Sequence, residues 1–163
     1  MKILMRTPLS ILRLNRMLFS VFIILSLSLT FGCRKKTMPM DKMPESRIIF
    51  GNGGGFTGEV KEYHLLNDGR IVNKGLKDTI YNVLSRIGKS NAAICFEDCK
   101  KMKLDSMKFS EPGNRYYFIA VKEAGKPENR IVWGDADLPV LEGVKTFYKT
   151  LMNHLPKDKT DDK

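Results

Sequence analysis

Histidine and tryptophan are nearly missing from this sequence, and cysteine is scarce. Of 163 residues, two are histidine (His64 and His154), one is tryptophan (Trp133) and three are cysteine (Cys33, Cys95 and Cys99). A metal centre built on imidazole and thiolate needs three or four ligands at short spacing, and the C-x-x-x-C at 95–99 has no further ligand beside it, so no metal is expected. A hydrolase needs a nucleophile next to an oriented base, and neither histidine stands in such a motif, which argues against an enzyme. No Gly-Lys-Ser/Thr follows the one glycine-rich stretch, and the residues after it alternate as a strand does, so neither a nucleotide nor any other cofactor is expected. Long apolar runs are missing too. The longest, Leu18 to Phe31, falls short of the roughly 20 residues that span a bilayer.

An acidic balance is also absent. Lys and Arg number 28 against 18 Asp and Glu, giving +10. Lys2, Arg6, Arg13 and Arg16 supply four of those charges within the first 32 residues, which hold no acid, so the remainder carries +6. Its tight clusters, Arg34-Lys35-Lys36 and Lys100-Lys101-Lys103, have no interleaved aromatics. They suit a solvated surface and a basic stretch near anionic headgroups, and no nucleic acid partner is expected.

What is present begins with a signal. Cations precede the apolar run Met17 to Phe31, which stops at the small residue Gly32 before Cys33, in the order of an export signal. Leu29-Thr30-Phe31-Gly32-Cys33 resembles the lipobox of bacterial lipoproteins, with Gly32 and Cys33 carrying the match and Thr30 and Phe31 departing from the commonest residues. The resemblance implies cleavage before Cys33, a thioether-linked lipid and an acylated amino terminus (palmitate) on that cysteine, and hence membrane attachment through it. Surface lipoproteins of the Bacteroidetes type carry acids after the lipidated cysteine. Arg34-Lys35-Lys36 departs from this, which implies a periplasm-facing protein of the cell envelope; of the two membranes the outer is favoured, with the inner left open.

The organisation that follows is a signal peptide at 1–32, a flexible tether at 33–46 with two prolines and no apolar periodicity, one globular domain at 47–156, and a disordered polar tail at 157–163. In the domain, Arg47 to Phe50 and Glu59 to Leu66 read as strands on either side of Gly51–Gly58, and Asn67-Asp68-Gly69-Arg70 as a hairpin turn into Ile71-Val72. Residues 75–88 fit both periods, with the strand favoured. Asn91 to Lys103 reads as a helix capped by Ser90 or Asn91, placing Cys95, Cys99 and Met102 on one face. Small residues packing a core is one account of the two cysteines; an oxidised pair is another, though a disulfide across one helical turn is geometrically poor. Ser110 to Asn114 reads as a turn, Arg115 to Val121 and Arg130 to Gly134 as strands, and Leu138 to Leu155 as an amphipathic helix capped by Asp137. The expected fold is α+β: an antiparallel sheet of five or six strands with two helices on one face.

Five glycines within eight residues require positive φ or a close approach. A strand, Gly-Gly-Phe-x-Gly and a returning strand are similar to the opening of emfourin-type inhibitors of thermolysin-like metalloproteases. That resemblance implies a binding loop, with Gly53, Gly54, Gly55, Phe56, Thr57 and Gly58 as its residues. The reading is thus a non-catalytic binding or inhibitor-like lipoprotein with a protein partner. A small envelope hydrolase or redox enzyme, or a purely structural envelope protein, stands as the alternative.

Overall fold

A computed structural model describes residues 37–75, 79–135 and 141–156. The signal peptide, Cys33, the Asp137 cap and the polar tail therefore lie outside the described residues. Contacts divide the chain into Met1–Arg34 and Lys35–Lys163, and every described residue falls in the second unit.

Eight strands make one sheet: β1 Thr37–Pro39, β2 Arg47–Gly54, β3 Val60–Leu66, β4 Arg70–Lys74, β5 Ile80–Arg86, β6 Ser110–Glu111, β7 Arg115–Lys122 and β8 Asn129–Trp133, with helices α1 Lys89–Lys101 and α2 Glu142–Asn153. The order across the sheet is β1-β5-β4-β3-β2-β7-β8-β6. All pairs are antiparallel except β6 with β8, which run parallel. The fold is α+β as expected, but the sheet is mixed and larger than five or six antiparallel strands. The two extra strands are short edge pieces drawn from segments read as a tether and a turn. Neither piece is long enough to show an apolar alternation, so only pairing with a formed neighbour makes it a strand.

The tether expectation needs the larger correction. Thr37–Pro39 pair with Ile80–Asn82, the Met40 N–H donates to the Thr79 carbonyl at 3.0 Å, and Met38 is buried against Leu66, Val72 and Tyr81. A strand thus stands ten residues before Arg47, within the segment expected to be a flexible tether.

Alternation along each strand divides the sheet into two faces. Ile48, Phe50, Leu65, Ile71, Ile119, Val121, Ile131 and Trp133 form one core with Ala92, Cys95 and Cys99 of α1 and Val144, Phe147, Tyr148 and Leu151 of α2. The opposite face carries two smaller apolar clusters to which neither helix contributes: one around Met38 and Tyr81, the other of Ile49, Phe118 and Ala120. The strand reading of residues 80–86 holds, with a bulge. Ile71 pairs with Ser85 and Val72 with Val83, leaving Leu84 as the extra residue. The bulge turns Ser85 toward the helices, where its hydroxyl donates to the His154 carbonyl at 2.8 Å and ties β5 to the end of α2.

Helix α1 starts earlier than its sequence signals suggest. Gly88, at φ +81°, occupies the cap position, and its carbonyl accepts from the Ala92 N–H at 3.1 Å. Ser90 lies in the first turn and Asn91 donates its amide to the Ile87 carbonyl at 2.9 Å, so neither side chain caps the helix. The same Gly88 backbone requires glycine at 69, where a Cβ would stand 2.6 Å from the Gly88 carbonyl, so the β3–β4 turn and the start of α1 touch. That turn is the expected hairpin, with the Asp68 carboxylate accepting from the Arg70 N–H at 3.0 Å and from Arg70 Nε at 2.6 Å.

Candidate functional site

The glycine-rich stretch is half strand and half loop. Gly51, Asn52, Gly53 and Gly54 belong to β2, contrary to the expectation that a loop begins at Gly51. The reason is a close approach on the second face of the sheet. A Cβ on Gly51 would stand 2.0 Å from the Lys61 carbonyl oxygen and 2.9 Å from Cζ of Phe118, and one on Gly53 would stand 2.6 Å from the Tyr116 hydroxyl. Glycine lets the rings of β7 lie over the β2 backbone. Phe118 is in turn covered by the Arg130 guanidinium, 4.4 Å above its ring, and Arg130 bonds both Glu62 (3.1 Å) and Glu128 (3.0 Å).

The loop proper joins Gly54 to Val60. Gly54, Gly55 and Gly58 adopt φ of +88°, +73° and +63°, a region that penalises any Cβ. Its base is fastened, since the Gly55 N–H donates to the Asn114 carbonyl at 2.7 Å, and its turn is closed by Gly58 N–H to the Gly55 carbonyl at 3.3 Å. The Thr57 hydroxyl accepts from the Glu59 N–H at 3.4 Å, so it helps shape the loop. Phe56 stands at the tip with 108 % of its reference surface exposed, and Val60 at the loop's exit is 50 % exposed. Phe56 does not fold back onto the sheet.

Beside the loop is a cleft of about 230 Å³ whose polar lining includes Asn52, Glu59, Lys61, Arg115 and Tyr117. Lys61, Asn52 and Tyr117 form a row across three adjacent strands. Lys61 and Arg115 make no ion pair among the described residues. Below the row an aromatic base holds the geometry: Tyr117, Trp133 and Tyr148 pack with centroids 5.4 to 6.1 Å apart. Burial pushes the Tyr148 phenol up to about 12, against a hydrogen bond from Asn52. Tyr117 is raised as well, first by burial and then by its bond to Asp135 at 3.2 Å.

Of the six residues expected in a binding loop, Gly55, Phe56, Thr57 and Gly58 lie together in the loop between β2 and β3, whereas Gly53 and Gly54 sit at the end of β2. Lys61, Arg115 and Tyr117 were not anticipated. Sequence alternation places Lys61 on the same face as Tyr63, but only the pairing of β2 with β7 brings Arg115 and Tyr117 beside it.

Two other places hold reactive groups. His64 lies on β3, 3 % exposed, with Nε2 3.2 Å from Glu62 and Nδ1 buried without a hydrogen-bond partner. Bonding to His64, and less strongly to Arg130, holds the Glu62 carboxyl at about 2. The arrangement anchors the charged cover over Phe118, and buried His64 cannot reach a substrate. Between the helices, a groove of about 580 Å³ is lined in part by Cys95, Ile94, Phe147 and His154. Both Cys95 and Cys99 are free, and burial is the first cause raising each thiol above its ordinary value, the reverse of what activates a nucleophile. Among the described residues no group of three His, Cys, Asp or Glu side chains converges as a metal site, and no helix is long and apolar enough to cross a membrane. Comparison of the sequence with protein-family models and with curated proteins found no match.

Proposed function

We propose that this chain is a non-catalytic lipoprotein of the bacterial envelope, attached through lipid on Cys33 and facing the periplasm, which recognises a protein partner with the loop that follows β2. The observation that carries the reading is the fully exposed Phe56 on a loop whose two ends are fixed in adjacent central strands and whose base is bonded to the β6–β7 turn. A large aromatic ring held in water on a backbone restricted by its own hydrogen bonds meets a partner at little further entropic cost. The neighbouring Lys61 and Arg115 add polar contacts at the rim. Protonated, buried thiols and a shielded histidine support a binding role over hydrolase or redox chemistry.

Two variants test the reading. Cys33→Ala blocks incorporation of labelled palmitate and leaves a longer precursor; a processed, labelled Cys33→Ala protein contradicts the anchor. Phe56→Ala changes unfolding stability by less than about 0.5 kcal/mol, as expected of an exposed site, while abolishing recovery of a stoichiometric partner from solubilised membranes. Undiminished recovery by a folded Phe56→Ala protein contradicts the loop.

A further inference from the structure

We infer that the β1 edge of the sheet is a docking surface for an anionic bilayer, so that the domain lies against the membrane and does not range from it. This rests on the lipid attachment proposed above and adds to it an orientation. A tether reaching to Ser46 would let the domain move some 45 Å from its lipid, at about 3.5 Å for each residue. The strand Thr37–Pro39 removes that freedom, because it is hydrogen-bonded to β5 at the edge of the sheet. Only Arg34, Lys35 and Lys36 separate Cys33 from it. Whatever their conformation, the Cα of Cys33 is within about 14 Å of the Cα of Thr37.

The exposed residues at this edge suit a lipid surface. Met40, immediately after β1, is 56 % exposed, one of four large apolar side chains so placed among the described residues. Lys42 follows it. Arg86, at the end of β5 beyond the part that β1 covers, and Lys89 at the start of α1 are exposed as well. Asp41 and Glu45 are the acids of the same segment. With Arg34, Lys35 and Lys36 the balance is cationic. The edge thus carries an exposed apolar side chain and Lys42 at the end beside Thr79, and Arg86 and Lys89 at the other end, toward which β1 leads back to the lipidated residue. An edge with both features along it matches the boundary between headgroups and acyl chains of an anionic membrane.

The orientation leaves the recognition loop free. From β1, the strands β5, β4 and β3 intervene before β2, so the β2–β3 loop stands about 14 to 19 Å from the edge at 4.8 Å per strand. Its partner is then met beside the membrane, at a fixed height above the headgroups.

The test uses the full-length lipidated protein in vesicles of phosphatidylethanolamine with or without phosphatidylglycerol, doped with a headgroup-attached spin-label quencher. A fluorophore is placed by Met40→Cys or by Phe56→Cys, with palmitate on Cys33 measured on the same preparation. The inference predicts quenching at position 40 at least fivefold stronger than at position 56, and stronger again with phosphatidylglycerol. Equal quenching at the two positions in palmitoylated protein overturns the docked edge and leaves the anchor standing. No palmitate on Cys33 overturns both. In a second measurement, Lys42→Glu with Arg86→Glu, exposed changes that do not threaten folding, lowers quenching at position 40 severalfold; unchanged quenching overturns the role of charge.

Discussion

Gly51→Ala tests why glycine stands inside a central strand. The new Cβ would meet the Lys61 carbonyl oxygen at 2.0 Å and the buried Phe118 ring at 2.9 Å. The nearer atom is backbone of β3, so no side-chain rotation relieves it. Strand β2 must move away from β3 while β7 holds its other side. Overpacking costs about 1 to 3 kcal/mol and a weakened ladder hydrogen bond about 1 more, while loss of glycine's freedom in the unfolded chain returns about 0.5 to 1. The net is roughly 1 to 3.5 kcal/mol, with a centre near 2. Trp133, 2 % exposed and packed between Tyr117 and Tyr148, reports unfolding by its fluorescence. With a urea slope of about 1 to 1.5 kcal/mol per molar, the midpoint falls by about 2 M. Gly53→Ala is the internal control: its closest contact is the far end of Tyr116, which can swing aside, so the expected loss is about 1 kcal/mol or less. A Gly51→Ala midpoint within 0.3 M of the parent, or a larger loss at Gly53 than at Gly51, refutes the close-approach account.

Glu62 sets an acid limit on stability. Its carboxyl is held at about 2 from an ordinary 4.5, so the stabilisation is complete above about 4.5 and is lost as pH falls toward 2. The side chain is 34 % exposed, which reduces the contribution from the full shift to about 1 to 2 kcal/mol. Urea midpoints of the parent should decline between pH 5 and pH 2, and Glu62→Gln should flatten that decline; an unchanged slope contradicts the charged cover over Phe118. Cys95 and Cys99 should resist alkylation at pH 8 until the protein unfolds, and replacing both with Ala should cost about 1 to 3 kcal/mol through lost buried volume. Rapid labelling of the native protein contradicts their place in the core.

Much of this architecture could be read from the residues, and the parts that escaped share a physical cause. Arg115 to Val121 declared itself by aromatic and β-branched content, and Asp68-Gly69 by its turn chemistry. Trp133 and the cysteines of α1 were found in the core. Thr37–Pro39 and Ser110–Glu111 gave no such signal, because two or three residues at a sheet edge become a strand only through a neighbour's hydrogen bonds. Gly51 to Gly54 misled for a related reason. Glycine signals either a turn or a close approach, and the choice between them depended on Phe118 and Tyr116, more than sixty residues away in sequence. The loop tip at Phe56 was legible; its companions Arg115 and Tyr117 were not, since they reach it only through the β2–β7 pairing.

The central claim proposed for this chain is that it recognises a partner through the loop after β2, and site-specific photo-crosslinking in intact cells tests it most directly. A photoreactive phenylalanine replaces Phe56 in one strain and Ile94, exposed in the groove between the helices, in another. The account predicts one discrete adduct at position 56, dependent on ultraviolet light and absent at position 94. An adduct at position 94 with none at position 56 would contradict it.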